Sequence, residues 1–276
     1  MNKLFVFIIS TIILTIGITG CSKKDKNKDK TSNTAKSIPT KIEYNKDSTI
    51  HFANINWLPL EGEGSINDEI IPAKAQNAFV DEKGCLHLKM IKKHGGFYGA
   101  ELVADTLFDL GEFYFEINTD LSKLSKNLEL RIRLINPSET IKKGIVETGI
   151  ALSYENSDNI SPLKFYSINT NTTNIEKFYY NKPINKNAKF KIIMVKDAIS
   201  YIYLENNKNI LEYTISKFND QKTELTYFTP STKQKLVLSA YYFDGGQRAD
   251  EFEIIISNIK TKSIFENKKN NIAKNS

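Results

Sequence analysis

The chain has 276 residues, of which 40% are hydrophobic and 25% are charged, and its formal net charge is +6. Most of that charge lies at the two ends, because residues 22–41 contribute +5, residues 260–276 contribute +4 and Lys3 adds one more. Residues 42–259 therefore carry a net charge of −4, which argues against a nucleic-acid-binding surface. They are numerous enough for one large β-sandwich with a full hydrophobic core.

The first 21 residues have the pattern of a targeting signal. Lys3 supplies a positive charge, residues 4–16 are largely apolar, and residues 18–21 read ITGC, which matches a bacterial lipobox. The apolar run is short for a membrane span and is soon followed by lysines, which favours a cleaved signal over an uncleaved anchor. Cys21 is then the predicted lipidation site, and its two or three acyl chains would hold the protein at a membrane. We expect a lipoprotein of the cell membrane or outer membrane that faces the periplasm or the cell exterior.

The segments on either side of the sandwich are polar. Residues 22–41 are rich in lysine and have almost nothing apolar to bury, so they predict a flexible tether. The tether lysines either contact anionic lipid headgroups or act as a solubilising spacer, and the spacer is the simpler interpretation. We place the folded domain at residues 42–265 and a disordered tail at residues 266–276.

The chain contains two cysteines. If Cys21 is acylated, Cys85 has no partner, so Cys85 is predicted to be a free thiol and the fold must rely on its core. Cys85 and His87 share a strand face, but two possible ligands without a third do not make a metal site. No metal and no cofactor are predicted.

Alternating apolar and polar residues predict many strands between turns rich in Gly, Asn, Asp and Pro. The predicted strands cover residues 48–53, 85–91, 97–104, 111–118, 127–135, 145–154, 163–168, 175–180, 189–196, 199–205, 209–215, 235–243 and 250–260. This number of strands exceeds that of an immunoglobulin domain and favours an all-β, two-sheet jelly roll.

One stretch carries a family resemblance. Residues 80–88 read VDEKGCLHL, residues 100–102 read AEL, and residues 110–115 read LGEFYF. In order and spacing these segments resemble the opening third of glycoside hydrolase family 16, whose members read V-D-x-x-G-x-L-H-L, A-E-V and Y-G-x-Y-x-F. The resemblance implies an antiparallel jelly-roll β-sandwich of the concanavalin A-like lectin/glucanase type, with a sugar-binding cleft on one sheet.

The resemblance also indicates where the catalytic residues should be. In that family one strand carries E-x-D-x-E, and the period of two directs all three acids into the cleft. The corresponding strand here places Glu147 at the nucleophile position, but Gly149 replaces the aspartate and Ala151 replaces the acid/base. Because alanine cannot protonate a leaving group, the resemblance implies a domain that has lost hydrolysis and retains Glu147 as a vestigial nucleophile.

The preceding strand should add charge to the same cleft. Leucine and isoleucine alternate there with Glu129, Arg131 and Arg133, so these three polar residues are predicted to share the cleft face with Glu147. A hairpin centred near residue 140 would place Arg133 directly opposite Glu147. Such a pair either stabilises the sheet or contributes to ligand binding.

Sugar clefts also need aromatic platforms. By position in the chain, Trp57, Tyr98 and Tyr241 correspond to cleft aromatics of the family, with Tyr241 replacing a tryptophan. We therefore include them as candidate ligand-binding residues together with Glu129, Arg131, Arg133 and Glu147.

These observations support a membrane-anchored, carbohydrate-binding lipoprotein that is catalytically inactive and whose partner is an extracellular polysaccharide or another glycan. One alternative is an active β-glucan or galactan hydrolase in which Glu129 or Glu155 replaces the missing acid. The other is a structural or adhesive protein of the envelope. Two carboxylates about 5–5.5 Å apart across the cleft would favour the enzyme.

The lipobox generates the first prediction. The Cys21→Ala variant should remain unprocessed and should not incorporate a clickable palmitate analogue, because the acyl acceptor is missing. In-gel fluorescence of labelled cells measures this, with Cys85→Ala as the matched control that keeps the label. Equal labelling of wild type and Cys21→Ala would contradict the assignment.

Overall fold

The computed structural model describes residues 46–66, 69–93, 96–124, 128–136, 146–153, 163–169, 174–180, 182, 184, 186–216, 233–242 and 250–264. The chain divides into two units, residues 1–40 and residues 41–276, and every described residue belongs to the second. The predicted signal peptide, tether, tail and Cys21 lie outside the described residues.

Eighteen strands form nearly all of the described structure. They are β1 (Ile50–Phe52), β2 (Ile55–Pro59), β3 (Gly62–Ile66), β4 (Glu69–Ala73), β5 (Ala78–Val80), β6 (Leu86–Lys93), β7 (Gly96–Tyr98), β8 (Ala100–Phe108), β9 (Gly111–Ile117), β10 (Leu128–Ile135), β11 (Val146–Ser153), β12 (Leu163–Asn169), β13 (Asn174–Tyr180), β14 (Lys189–Val195), β15 (Ala198–Glu205), β16 (Lys208–Ser216), β17 (Gln234–Tyr242) and β18 (Phe252–Ser263). The helices of the described ranges are the short 3-10 turns Lys46–Ser48, Ala75–Asn77 and Leu121–Lys123, and none could span a membrane.

The strands pair into two large antiparallel sheets. The first sheet has the order β1-β2-β8-β17-β10-β11-β12-β13, and the second has the order β16-β15-β14-β9-β18-β6-β5, with β7 added beside β6. β3 and β4 form a separate hairpin. The predicted all-β, two-sheet sandwich is therefore confirmed, whereas the short strands β2 to β5 were not predicted.

Aromatic side chains join the two sheets in the core. On β9, Phe113 and Phe115 face inward and are at most 1% exposed. Phe165 of the first sheet stacks on Tyr201 of the second with ring centroids 5.1 Å apart. The hydroxyl of Tyr201 donates to the carbonyl of Tyr166 at 2.8 Å, which satisfies its polar tip. Each large apolar side chain buried in this way contributes about 1.5–3 kcal/mol to folding.

The outer faces of the two sheets differ in burial. Along β9 in the second sheet, fully buried residues alternate with half-buried ones, as expected for a strand with one face toward solvent. Along β10 in the first sheet, every residue from Leu128 to Leu134 is buried, including the polar ones that point away from the core. The outer face of the first sheet is therefore closed to solvent at β10, and that of the second sheet is open.

The turn between β5 and β6 is organised by Asp81. Its carboxylate accepts hydrogen bonds from the backbone N–H groups of Lys83, at 3.0 Å, and Cys85, at 2.8 Å. Gly84 in this turn has a φ of 76°, a conformation that favours glycine. The hydrogen bond from Cys85 and a second one from His87 lower the pKa of Asp81 below its ordinary value of 3.8. Cys85 itself is a free cysteine.

This turn generates a prediction of pH dependence. Because the pKa of Asp81 is depressed in the folded state, its ionised form stabilises the fold above pH 3.8, and this contribution is lost as the pH falls through the folded-state pKa. Asp81→Asn, which keeps an acceptor oxygen, should be less stable than wild type at pH 7 but equally stable near pH 2.

Urea unfolding at both pH values measures the difference in the free energy of unfolding. Asp197→Asn, in the exposed turn between β14 and β15, is the matched control and should show no such difference. A loss in Asp81→Asn that is the same at both pH values would contradict the prediction.

Candidate functional site

The outer face of the first sheet collects the polar residues that the sequence analysis singled out. The strand register places Glu101 of β8, Ser239 of β17, Arg131 of β10 and Lys164 of β12 in one row across the sheet. All four are buried, between 0% and 9% exposed. A charged row this deeply buried must be balanced by its own partners.

The neighbouring rows complete the group. One contains Arg133, Gly149 and Tyr166, and the row beyond it contains Glu147. On the opposite side, Tyr241, Glu129 and Ser153 form a further row. We call the set Glu101, Glu129, Arg131, Arg133, Glu147, Ser153, Lys164, Tyr166, Ser239 and Tyr241 the polar face. Glu129, Arg131, Arg133 and Glu147 thus share one face of the sheet, as predicted.

The predicted register of the β10–β11 hairpin was wrong by two residues. Arg133 lies opposite Gly149, and Glu147 lies opposite Ile135. The two registers place the same side chains on the same face, because they differ by an even number of residues, so the alternation in the sequence cannot distinguish them. Arg133 and Glu147 are consequently diagonal neighbours rather than a directly opposed pair.

Arg133 is the centre of the polar face. Its Nη2 donates to Oε2 of Glu101 at 2.8 Å, and its Nη1 donates to Oε2 of Glu147 at 3.4 Å. Burial opposes the charged guanidinium, but attraction to the two carboxylates outweighs it and raises the pKa of Arg133 above its ordinary value. Arg133 is therefore a fixed cation that lies between two carboxylates.

A second charge pair, formed by Arg131 and Glu129, lies beside Arg133. The Nε of Arg131 donates to Oε1 of Glu129, and the hydroxyl of Tyr241 donates to the same oxygen at 2.7 Å. The guanidinium carbon of Arg131 is 5.4 Å from the centroid of the Tyr241 ring, within cation–π range. Burial raises the pKa of Tyr241, so its hydroxyl stays protonated and remains a donor.

Gly149 has no room for the aspartate that the family motif would place there. A Cβ at this position would lie 2.3 Å from the carbonyl oxygen of Ile132 and 3.2 Å from the hydroxyl of Tyr166. The first contact involves backbone of the neighbouring strand, which cannot move without breaking the ladder. In this structure, therefore, a side chain at position 149 is excluded by packing.

Several atoms of the polar face have no hydrogen-bond partner. Five buried side-chain atoms of this face make no hydrogen bond of ordinary geometry within the described residues: Arg133 Nε, Glu147 Oε1, Ser153 Oγ, Tyr166 OH and Ser239 Oγ. Burial, and then the negative charge of Glu147, raise the pKa of Tyr166, so its hydroxyl is also protonated. Each buried polar atom left unpaired costs about 1–3 kcal/mol, so a concentration of them on one face calls for an explanation.

The predicted aromatic platforms have different positions. Trp57 is wrong as a platform: its ring is 0% exposed in the core and its Nε1 donates to the carbonyl of Phe52 at 3.2 Å. It lies on β2, where no strand was predicted, and the pleat of that strand turns Trp57 inward and Leu58 outward. Tyr98 is half-buried on β7, with Lys74 Nζ 5.7 Å from its ring centroid, and does not join the charge pairs of the polar face. Of the three predicted platforms, Tyr241 is the residue that belongs to the polar face.

Five members of the polar face were missed as site residues: Glu101, Ser153, Lys164, Tyr166 and Ser239. Each lies at a polar or aromatic position of a predicted strand, so alternation shows that it can face outward. The order of β8, β17, β10, β11 and β12 in the sheet brings them together. The alternative acid Glu155 lies outside the described residues, which contain no group of three side chains arranged to hold a metal ion.

Several solved structures that share this fold are glucanases. A β-glucanase from Bacillus licheniformis matches 78% of this chain and 97% of its own length, with a TM-score of 0.58 and 11% identity. A β-1,3-glucanase from Mycobacterium marinum matches 78% of this chain and 94% of its own, with a TM-score of 0.56 and 14% identity. A laminarinase from Flavobacterium sp. UMI-01 matches 75% and 93%, with a TM-score of 0.54 and 15% identity.

The chain has a glucanase-type jelly-roll fold. The concanavalin A-like architecture expected from the resemblance to glycoside hydrolase family 16 is thereby confirmed at the level of the fold. No protein-family model and no curated protein sequence matches the chain. What this glucanase-like domain does must therefore be argued from its own polar face.

The ion pairs of Arg133 generate a stability prediction. Arg133→Met leaves Glu101 and Glu147 buried without their cation and should lower the free energy of unfolding by about 3–5 kcal/mol. Neutralising both acids as well, in Arg133→Met/Glu101→Gln/Glu147→Gln, should recover most of that loss, because no uncompensated charge remains buried.

Urea unfolding at pH 7 measures both variants. Lys191→Met is the matched control, because Lys191 forms a surface pair with Glu112 at 3.7 Å, and such pairs contribute about 0–1 kcal/mol. A loss for Arg133→Met no larger than that of the control would show that the polar face is not held by these charges.

Proposed function

We propose that this protein is a lipid-anchored envelope lipoprotein whose glucanase-like domain binds a glycan on the polar face without hydrolysing it. The observation that carries the proposal is the group of five unpaired polar atoms on that face. They comprise donors, such as Arg133 Nε, and an acceptor, Glu147 Oε1, together with hydroxyls that can do both. Sugar hydroxyls also donate and accept hydrogen bonds, so a bound glycan can form hydrogen bonds with all of these groups.

The position of Arg133 argues against hydrolysis. A retaining glycosidase needs its two carboxyl groups on either side of the scissile bond. Here a guanidinium lies between Glu101 and Glu147 and is bonded to both, so the glycosidic oxygen has no place between these two acids. Glu129 accepts bonds from Arg131 and Tyr241 and so acts as an acceptor, the opposite of the role of a general acid. The acid/base position itself is Ala151.

The burial of the polar face sets a condition on binding. Its charged and hydroxyl side chains are at most 9% exposed, so this conformation is closed to a ligand. A glycan that binds here must select a conformation in which the face is open, and its affinity is reduced by the cost of opening. The hydrogen bonds gained by the unpaired atoms would offset part of that cost.

Membrane anchoring rests on the lipobox at residues 18–21, and the tether of residues 22–41 would let the domain reach glycans away from the membrane surface. Similar solved structures include a β-1,3-glucanase and a β-1,3-1,4-glucanase, so β-1,3-glucan and β-1,3-1,4-glucan are the first ligands to test.

Binding without cleavage is tested with the full chain in detergent. Isothermal titration with laminarin and lichenan should show binding, while assays for reducing ends should show no release of sugar. Ser239→Ala should raise Kd about fivefold to tenfold, because it removes a hydroxyl that forms a hydrogen bond with the ligand. The same change should not lower the free energy of unfolding, since it deletes a buried polar group that has no partner among the described residues.

Ser200→Ala, on the opposite sheet, is the matched control and should leave Kd unchanged. Release of sugar by wild type that is abolished in Glu147→Ala would establish the hydrolase alternative instead. Absence of binding to both glucans, or equal affinity of wild type and Ser239→Ala, would contradict glycan binding at the polar face.

A further inference from the structure

The outer face of the second sheet carries an open groove of about 900 Å³, on the opposite side of the sandwich from the polar face. Its floor is β9, with β14 along one side and β18 along the other, and the β1–β2 turn and the end of β8, at Thr106 and Phe108, also line it. It meets a polar cavity of about 390 Å³ at Glu116 and Lys189, and one of about 180 Å³ at Glu112 and Lys262. We call this surface the β9 groove. From Glu112 to Asn118 it runs for about 20 Å, because a strand rises about 3.3 Å per residue.

The register centres the β9 groove on Tyr114. Lys191 of β14 and Lys260 of β18 lie directly opposite Tyr114 on its two sides. Since neighbouring strands are about 4.8 Å apart, the backbones that carry the two lysines are about 10 Å apart, with the half-buried tyrosine between them. A groove of this width, with an aromatic ring in its floor, fits one extended chain better than the flat surface of a bilayer.

The β9 groove carries an excess of positive charge. Lys189 pairs with Glu116 at 3.4 Å and Lys191 pairs with Glu112 at 3.7 Å, so these four residues neutralise one another.

Two further lysines provide the excess. Lys260 and Lys262 are exposed and form no ion pair with any residue in the described ranges. They are two residues apart on one strand face, which separates them by about 7 Å along the groove. Two exposed lysines in a row, with no ion pair among the described residues, are complementary to a polymer with repeated negative charges.

We infer that the β9 groove is a second binding site, for an acidic polysaccharide that lies along β9. A sugar ring stacks on Tyr114, while carboxylate or sulfate groups of the polymer pair with Lys260 and Lys262. Asn118 and Asn187, in the polar cavity at one end, extend the surface with amides that bond sugar hydroxyls. This inference does not depend on the proposed function, since it concerns another face, other residues and another class of ligand.

The experiment measures binding of the full chain, in detergent at low ionic strength, to polygalacturonate, which carries carboxylates, and to dextran sulfate, which carries sulfates. Lys260→Glu/Lys262→Glu should raise Kd for at least one of them by about tenfold or more, because two attractive charges become repulsive. The polymer whose Kd changes identifies the anionic group. Tyr114→Ala should also weaken binding, whereas Tyr114→Phe, which keeps the ring, should not.

Matched controls separate the site from general charge attraction. Lys46→Glu/Lys92→Glu makes the same change of charge at two exposed positions that do not line the groove, and should leave Kd within about twofold of wild type. The lysines of residues 22–41 are present in every variant, so they do not contribute to the difference. Thermal unfolding of each variant checks the fold, and unchanged affinity for laminarin checks that the polar face is intact.

Three results would overturn the inference. The first is that neither acidic polymer binds, and the second is that the two lysine double variants lose affinity equally. The third is that vesicles containing phosphatidylglycerol bind in a manner that depends on Lys260 and Lys262 while the polymers do not, which would assign the groove to the membrane surface. A failure of glucan binding at the polar face would leave the result for the β9 groove unaffected.

Discussion

Arg133 is held between Glu101 and Glu147, and none of these three side chains is more than 5% exposed. A buried charge is tolerated only where opposite charges and hydrogen bonds compensate for the lost water, so β8, β10 and β11 must keep the register that brings the three together. A slip of one residue in β10 would turn Arg133 into the apolar core and Ile132 out of it. The packing of Ile132 on the inner face and the charge pairing on the outer face therefore specify the same register.

The same constraint governs the rest of the outer face of the first sheet. Its charged side chains mostly pair with one another. Glu101, Glu129 and Glu147 balance Arg131, Arg133 and Lys164, so the polar face is close to neutral as well as buried. Hydrogen-bonding capacity remains in the buried atoms of this face that have no partner among the described residues.

The outer face of the second sheet follows a different principle. Its charged side chains are at the surface, where ion pairs contribute little to folding. Lys260 and Lys262 are exposed there and make no ion pair with any described residue. The same sandwich thus has one face on which charges are buried and paired and another on which they are exposed to solvent.

Local alternation in the sequence was sufficient to predict β9, β10, β11 and β14, the jelly roll, and the common face of Glu129, Arg131, Arg133 and Glu147, because a period of two is a property of each strand by itself. The short segments of residues 80–115 that resemble the family motifs were sufficient to indicate the glucanase fold.

The pairing between strands that are distant in the sequence could not be predicted from local alternation. Glu129 and Tyr241 are 112 residues apart, and Arg133 and Glu101 are 32 apart, so only the sheet order reveals these partners. The tertiary structure likewise decided that β2 turns Trp57 into the core, and that β18 continues to Ser263, beyond the predicted strand end at residue 260. Composition and alternation describe a segment and its faces, whereas the partner of each face depends on contacts that form only when the whole chain folds.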